Sequence, residues 1–299
     1  MPTYYPPRTQ PITGDVTAML AAGFQLDAFG RLRTSEPRTL FDGKLLADKQ
    51  PLIWSEEIFA TATSAHQSGD AAVRMSTSAS GDAVIRQTFQ RFNYQPGKSQ
   101  LCFLTFRATA EANVRKRVGY YRTSNAANSA PQDGVYYEVN GTTDIAWAIC
   151  KGGTVTERIV RASWNLDPLD GTGASGVTLD TAATLIAFMD LEWLGVGTVR
   201  VGFVIDGVPI YVHAFHHAND SSFTSVYTAT ANLPVGYAIY QSGAGSGSLD
   251  QICSSVISEG GRDPIGVFRV SEQGTSQINA NTTGTWYAMV GVRLKTTNL

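Results

Sequence analysis

The chain has 299 residues, of which 43% are hydrophobic and 16% charged, and its formal net charge is −2. This length can bury a substantial core in one large domain or two smaller ones. The charge balance excludes a global basic field of the kind that holds DNA or RNA. The low charge favours extensive protein–protein contact, because little charge must lose its water when the surface is buried.

No run of about 18 apolar residues occurs in the sequence, so we expect no membrane-spanning helix. The N-terminus lacks a charged start followed by an apolar run, so we also expect no secretory signal. The three cysteines, Cys102, Cys150 and Cys253, lie far apart without CxxC spacing. This pattern predicts buried free thiols in a protein made in a reducing cytoplasm.

The first 25 residues carry Pro2, Pro6, Pro7 and Pro11. Prolines at this density favour an extended arm over a packed element. A short helix is predicted at residues 16–22, where a glycine follows as its stop. Such an arm is either disordered alone or ordered by a neighbouring protein, and both interpretations stay open.

From about residue 45 onwards, β-strand patterns dominate. Residues 83–89 alternate apolar and polar side chains, as a half-buried strand does. Residues 101–107 are almost all apolar, which is typical of a strand covered on both faces. Residues 135–139 lead into Asn140-Gly141, a pair that favours a tight two-residue hairpin turn before a returning strand at 144–150.

The strongest hairpin signal is Asp206-Gly207, which separates two β-rich runs at residues 198–205 and 208–215. Pro209 cannot donate a ladder hydrogen bond, so its strand is predicted at a sheet edge or a bulge. A further run at residues 184–193 would complete a meander.

Strands follow turns at short intervals, and no helix-period segment is long enough for a parallel crossover. We therefore predict an all-β fold, an antiparallel β-sandwich of jelly-roll or lectin-like kind with an extended N-terminal arm. The predicted division is an arm at 1–44, a sandwich at 45–261 and a C-terminal β segment at 262–299. That last segment carries predicted strands at 266–270 and 285–294, and it would pack on the sandwich or on a neighbouring subunit.

The densest basic run, Arg115-Lys116-Arg117, sits among alternating β-formers. A solvated strand edge is the simpler interpretation, and a phosphate-binding patch is the alternative. Asp190 and Glu192 are the best candidates for acid–base chemistry, because residues two apart on a strand share a face. We expect them to be solvent-facing strand residues, with glycan contact or a glycosidase acid pair as alternatives.

Three histidines, His213, His216 and His217, follow the strongest hairpin, and Asp220 lies close behind them. They would bind zinc if the local geometry brought them together. Packing or an interface loop is the favoured interpretation, and we expect no metal or other cofactor. Sugar stacking on aromatic rings is an alternative to core packing for seven residues, Tyr136, Tyr137, Trp147, Trp164, Trp193, Tyr237 and Tyr240.

Residues 26–54 contain a distinctive block. Its notable positions are Asp27, Phe29, Gly30, Arg31, Leu32, Arg33, Pro37, Leu40, Phe41, Asp42, Lys44, Asp48, Pro51, Leu52 and Trp54. The block resembles the opening of a family of tailed-bacteriophage structural proteins found in tail, fibre or virion-surface contexts. Weaker similarity follows at residues 192–203 and 292–295.

The resemblance implies assembly into a virion and no catalytic residue set. We therefore expect a non-enzymatic virion protein on the tail or fibre apparatus or on the outer capsid as a decoration protein. It would be made in the host cytoplasm, form a homo-oligomer, with a trimer favoured, and contact other virion proteins but neither nucleic acid nor membrane. The expected interface residues are Phe29, Arg31, Arg33, Phe41 and Trp54, with arginine forks that suit carboxylates of an adjacent subunit. Alternatives are a module that binds a host glycan or receptor and a β-sandwich glycosidase.

Overall fold

The computed structural model describes residues 37–124 and 129–260, together with position 283. The chain divides into two compact units, Met1–Arg262 and Asp263–Leu299, and the strands below belong to the first. Several predicted features lie outside the described residues: the helix at 16–22, the interface residues Phe29, Arg31 and Arg33, and the strands at 266–270 and 285–294.

The described residues form strands joined by turns and loops, the longest loops being at residues 164–183 and 216–234, with a 3-10 turn at Arg161–Ser163. In chain order the strands are β1 (Arg38–Lys44), β2 (Trp54–Phe59), β3 (Thr63–Gln67), β4 (Ala72–Thr77), β5 (Ala83–Thr88), β6 (Gln100–Arg107), β7 (Val114–Thr123), β8 (Pro131–Asn140), β9 (Asp144–Lys151), β10 (Thr154–Val160), β11 (Thr184–Leu191), β12 (Val199–Ile205), β13 (Val208–Phe215), β14 (Val235–Gln241) and β15 (Gly247–Ser258). Within this part of the chain, no helix has the length and apolarity that a membrane span requires.

The strands form two antiparallel sheets. One sheet has eight strands in the order β13-β12-β11-β6-β15-β4-β3, with β1 pairing on β15, and the other has seven in the order β10-β9-β8-β7-β14-β5-β2. The inner faces pack against each other: the ring of Phe203 on the first sheet lies 5.3 Å from that of Tyr137 and 5.8 Å from that of Trp147 on the second. The predicted all-β antiparallel sandwich is therefore confirmed.

The meander at β11, β12 and β13 follows the prediction. Asp206 and Gly207 have φ values of 52° and 79°, which suit a tight two-residue hairpin, and β13 with Pro209 lies at the edge of its sheet. The other hairpin differs: Asn140 pairs with Asp144, so the loop between them has three residues. Asn140 stays in the strand, and the turn begins with Gly141 at a φ of 69°.

The strand β1 belongs to the sandwich, because it pairs with β15 from Arg38 to Lys44. The sandwich thus begins before residue 45, which corrects the predicted end of the arm. Phe41 contacts the rings of Trp54 at 5.9 Å and Phe92 at 5.2 Å. Phe41 is 9% exposed and Trp54 is 2% exposed. They have almost no surface to offer a second chain, so their predicted interface role is corrected to a core role.

The basic run 115–117 does not lie at a solvated edge, because β7 is an interior strand between β8 and β14. Lys116 is buried and donates to Glu111 Oε2 at 2.5 Å, while Arg117 Nε donates to Glu138 Oε2 at 2.6 Å. The strand-edge interpretation is wrong, because carboxylates on neighbouring segments neutralise these charges inside the fold.

Two further expectations need correction. The strand β6 alternates between buried and half-buried residues instead of being covered on both faces. Cys102 and Cys150 are buried as predicted, whereas Cys253 is exposed. A bulge in β15 between Gln251 and Cys253 shifts the register there, and the alternation that would have hidden the third thiol is lost.

Candidate functional site

Asp190 and Glu192 lie at the end of β11 on the outer face of the eight-stranded sheet, the face directed away from the other sheet. Alternate residues of β11, such as Met189 and Leu191, belong to the sandwich core, so the two acidic residues point outward. They are nevertheless buried, with exposures of 2% and 4%. The expectation that they face solvent is wrong, because side chains from β12 and β13 contact them.

Arg200 on β12 engages both carboxylates. It lies opposite Asp190 in the strand register, and its Nη1 is 3.0 Å from Glu192 Oε1 and 3.7 Å from Asp190 Oδ2. The closer contact goes to Glu192, so Asp190 receives the weaker electrostatic stabilisation.

Burial raises the pKa of Asp190 to about 7. The charge of Glu259 raises the pKa further, Arg200 opposes the rise, Glu192 adds to it, and a hydrogen bond with Tyr211 lowers it. Asp190 Oδ1 has no hydrogen-bond partner within the described residues. Asp190 therefore changes its protonation state near neutral pH.

A carboxyl group with a pKa near 7 is suited to acid–base chemistry. Retaining glycoside hydrolysis also requires a second, free carboxylate about 5 Å away. Glu192 does not fill that role, because it is ion-paired with Arg200 and is 4% exposed. The geometry is that of a buried charge cluster that ties β11 to β12.

An aromatic ridge of Phe103, Phe188 and Tyr211 runs beside this cluster on the same outer face. The Phe188 ring lies 6.1 Å from that of Phe103 and 4.9 Å from that of Tyr211. Tyr211 is 38% exposed. The ridge meets the charge cluster at Tyr211, whose hydrogen bond with Asp190 lowers the pKa of that carboxyl.

The three histidines considered as zinc ligands contact different partners. His213 Nδ1 accepts from the backbone N–H of Asn165 at 3.2 Å, and His216 Nδ1 lies 3.3 Å from Thr198 Oγ1. His217 Nε2 lies 2.8 Å from Glu157 Oε1. No cluster of three metal-ligating side chains occurs in the ranges 37–124 and 129–260. His213 and His217 are buried and pack against the rings of Phe215 at 4.5 Å and Tyr227 at 4.4 Å, whereas His216 is exposed.

Five of the seven aromatic residues considered for sugar stacking are too buried to contact a sugar: Tyr136, Tyr137, Trp147, Trp164 and Tyr237. Trp193 packs edge-on against Tyr94 at 6.0 Å, and its Nε1 donates to Thr228 Oγ1 at 2.9 Å. Tyr240 has the guanidinium of Arg115 over its ring at 5.2 Å. All seven rings therefore have protein neighbours.

Sequence reasoning missed a cavity of about 490 Å³ at one end of the seven-stranded sheet. It opens where β2, β5, β7 and β8 begin or end, and its lining includes Ser55, Phe89, Arg91, Arg122, Ser124 and Gln132. These residues lie far apart in the chain and form no motif. The only local signal is Phe89, an apolar residue at the end of an alternating strand that is 62% exposed in the fold.

No family model and no curated protein sequence matches this chain. Several solved structures are similar in fold. A protein of unknown function from Shewanella oneidensis has 10% identity and a TM-score of 0.49, covering 89% of this chain and 100% of its own. A β-glucanase from Bacillus licheniformis has 12% identity and a TM-score of 0.48, covering 75% of this chain and 98% of its own. A galectin-like protein of unknown function from Bacillus subtilis has 9% identity and a TM-score of 0.43, covering 73% of this chain and 94% of its own.

Proposed function

We propose that the chain is a non-enzymatic structural protein of a bacteriophage particle and that it assembles with further copies of itself. The observation that carries this proposal is an apolar surface on the segment between β1 and β2. There Leu46 is 67% exposed, Leu52 is 92% exposed and Ile53 is 37% exposed. Exposed apolar side chains grouped in one segment are typical of a surface that another protein covers.

The same segment belongs to the block that resembles tailed-phage structural proteins. The block supplies both Phe41 and Trp54, which are buried in the core, and Leu52, which is almost fully exposed. One continuous stretch of sequence therefore anchors itself in the sandwich and presents leucine to the outside. This combination supports an assembly role for the segment.

A second copy of the chain is the partner that the charges around this segment favour. Lys44 pairs with Asp42 at 2.7 Å, and Lys49 pairs with Glu56. Because these ion pairs form within one chain, two copies can bring their apolar residues together without leaving either lysine unpaired at the contact. Closed rings or two-fold dimers are the usual outcome of such self-association, and we favour a trimer.

The state of the carboxylates supports a non-catalytic role. The best acid–base candidate, Asp190, is 2% exposed, and its neighbour Glu192 is held by Arg200. A substrate would have to displace this ion pair to reach either group.

Analytical ultracentrifugation of the full chain tests the proposal. The wild-type chain is expected to sediment as an oligomer, and Leu52→Asp is expected to sediment as a monomer. Val208→Asp is the matched control, because Val208 is also strongly exposed, at 59%, but lies at the start of β13. A monomeric wild-type chain, or a Leu52→Asp variant that still forms the oligomer, would overturn the proposal.

A further inference from the structure

We propose that the cavity on the seven-stranded sheet binds an acidic saccharide, with the negatively charged group of the sugar held between Arg91 and Arg122. The cavity of about 490 Å³ falls within the range of small-molecule sites. This binding site is independent of the assembly role, which uses the segment between β1 and β2.

The charge of the lining points to an anion. Arg91 and Arg122 both line the cavity, and none of the residues that line it is acidic. In the part of the chain that the structure describes, neither guanidinium is held by a carboxylate or a carbonyl. Burial and the positive charge of Arg122 both lower the pKa of Arg91. A bound anion would relieve this repulsion, and guanidinium forks match carboxylate and phosphate oxygens in bidentate geometry.

A second cavity of about 210 Å³ is also lined by Arg91, together with Arg38. Its lining also contains no acidic residue. Three arginines from separate segments of the chain thus border two cavities that have Arg91 in common. A ligand longer than a single anion would find further positive charge in this direction.

The remaining lining suits a sugar. Ser55, Ser124 and Gln132 offer hydroxyl and amide groups, which exchange hydrogen bonds with sugar hydroxyls. Phe89 is 62% exposed at the rim, and its ring presents a flat apolar surface for the C–H face of a sugar. An acidic peptide would also bind the arginines, but the exposed ring of Phe89 next to neutral polar side chains matches a sugar better than a run of carboxylates.

The wall of the cavity is held in place by the side chain of Gln87. Its Oε1 accepts from the backbone N–H of Thr123 at 2.9 Å, and its Nε2 donates to the carbonyl of the same residue at 3.3 Å. These bonds join β5 to β7 across the intervening β14. Arg122 therefore projects from a strand that is fixed relative to β5, and Arg91 lies three residues beyond the end of β5. Fixing the two strands in this way reduces the entropy lost on binding.

Isothermal titration calorimetry on the full chain tests the site with four ligands: a glucuronate-containing tetrasaccharide, glucose 6-phosphate, a neutral glucose tetrasaccharide and inorganic phosphate. We expect binding of at least one acidic sugar and no binding of the neutral one. The first two ligands distinguish a sugar carboxylate from a sugar phosphate as the bound group.

Three variants sharpen the test. Arg122→Ala is expected to weaken acidic-sugar binding by about tenfold or more, because it removes a charge-assisted hydrogen bond. Phe89→Ala is expected to weaken sugar binding and leave inorganic phosphate binding unchanged. Lys151→Ala, which removes a positive charge elsewhere on the sandwich, is expected to bind as the wild type does. Thermal unfolding of each variant confirms that it is folded.

Three results would overturn the proposal. The first is that no acidic sugar binds to the folded wild-type chain. The second is that inorganic phosphate binds as tightly as the sugars and Phe89→Ala has no effect, which would indicate a simple anion site. The third is that a polyglutamate peptide displaces the acidic sugar at equal concentration.

Discussion

Asp190 and Arg200 lie opposite each other in the register of β11 and β12. The Arg200 guanidinium nevertheless lies closer to Glu192, at 3.0 Å, than to Asp190, at 3.7 Å. Asp190 is thus buried beside Arg200, whose closer ion pair is with Glu192. This arrangement keeps a proton on Asp190 up to nearly neutral pH and makes the stability of the fold depend on pH.

Asp190→Asn should flatten that dependence. The folded-state pKa of about 7 lies above the ordinary aspartate value of 3.8, so the folded state retains a proton that the unfolded state releases. The free energy of unfolding therefore falls as pH rises between about 4 and 7 and levels off above that range. Asparagine cannot ionise, so the stability of the variant relative to wild type should improve by about 2–3 kcal/mol from pH 5 to pH 8.

Urea unfolding at pH 5 and pH 8 measures this change, with Asp70→Asn as the control at an exposed aspartate. An equal pH response in wild type and Asp190→Asn would show that Asp190 is ionised throughout this range.

Asp82 should behave in the opposite way. Burial by itself would raise the pKa of Asp82, but hydrogen bonds from Ser78, Thr61 and Ala79 outweigh it and lower the pKa to about 2. The backbone N–H groups of these residues donate to the carboxylate at 2.8, 2.7 and 2.9 Å. This stabilisation is fully present above about pH 4 and is lost as pH falls through 2.

We expect Asp82→Asn to lower the free energy of unfolding at pH 7 by about 2 kcal/mol. The difference from wild type should shrink as the pH approaches 2, which denaturant titrations at pH 7 and pH 2.5 measure. A variant as stable as wild type at pH 7 would contradict the role assigned to this carboxylate.

Gly119→Ala should be strongly destabilising. A Cβ atom at Gly119 would lie 2.3 Å from the carbonyl oxygen of Val135 and 2.6 Å from Cα of Tyr136, so β7 and β8 would have to separate. We expect a loss of about 3 kcal/mol or more. Gly69→Ala is the matched control, because nothing lies within 4 Å of the added Cβ there. Urea denaturation measures the free energy of unfolding of both variants. Equal values for Gly119→Ala and Gly69→Ala would disprove the close approach of β7 and β8.

The three thiols should react very unequally in the native state. Cys253 is exposed, whereas Cys102 and Cys150 are buried, and burial raises the pKa of Cys150 to about 11. Because the thiolate is the reactive form, one thiol per chain should react rapidly with an aromatic disulfide reagent at pH 8. Cys253→Ser should abolish this fast phase. Rapid reaction of two thiols would contradict the burial of the other pair.

The fold was largely predictable because its signals are local. Asp206-Gly207 specifies a hairpin through the φ angles of two adjacent residues, and the alternation at 83–89 specifies a strand. The prediction that this strand is half-buried is wrong, because every residue of β5 is buried and both of its faces are covered. The Asn140-Gly141 loop shows the limit of this approach, since the pairing of Asn140 with Asp144 sets the loop length. The pair alone does not carry that information.

The candidate sites depend on contacts between distant segments, and a local pattern does not report them. Asp190 contacts Arg200 and Tyr211 on two other strands, and the i, i+2 acidic pattern, which predicts solvent-facing residues, contains no information about those strands. The basic run 115–117 predicts a solvated edge, but the pairing of β7 with β8 and β14 and the contact of Lys116 with Glu111 depend on segments outside that run. Arg122 at the end of β7 and Arg91 in the loop after β5 line one cavity because β5 and β7 end on the same side of the sheet. The virion role stays a prediction from the block at 26–54.

Quantitative mass spectrometry of phage particles purified from a host that expresses this chain tests the central claim most directly. A structural protein that assembles with itself should remain with the particles through density-gradient purification, at a fixed ratio of several copies per particle to the other structural proteins. Absence of the chain from purified particles, with the intact monomer recovered from the host lysate, would contradict the account.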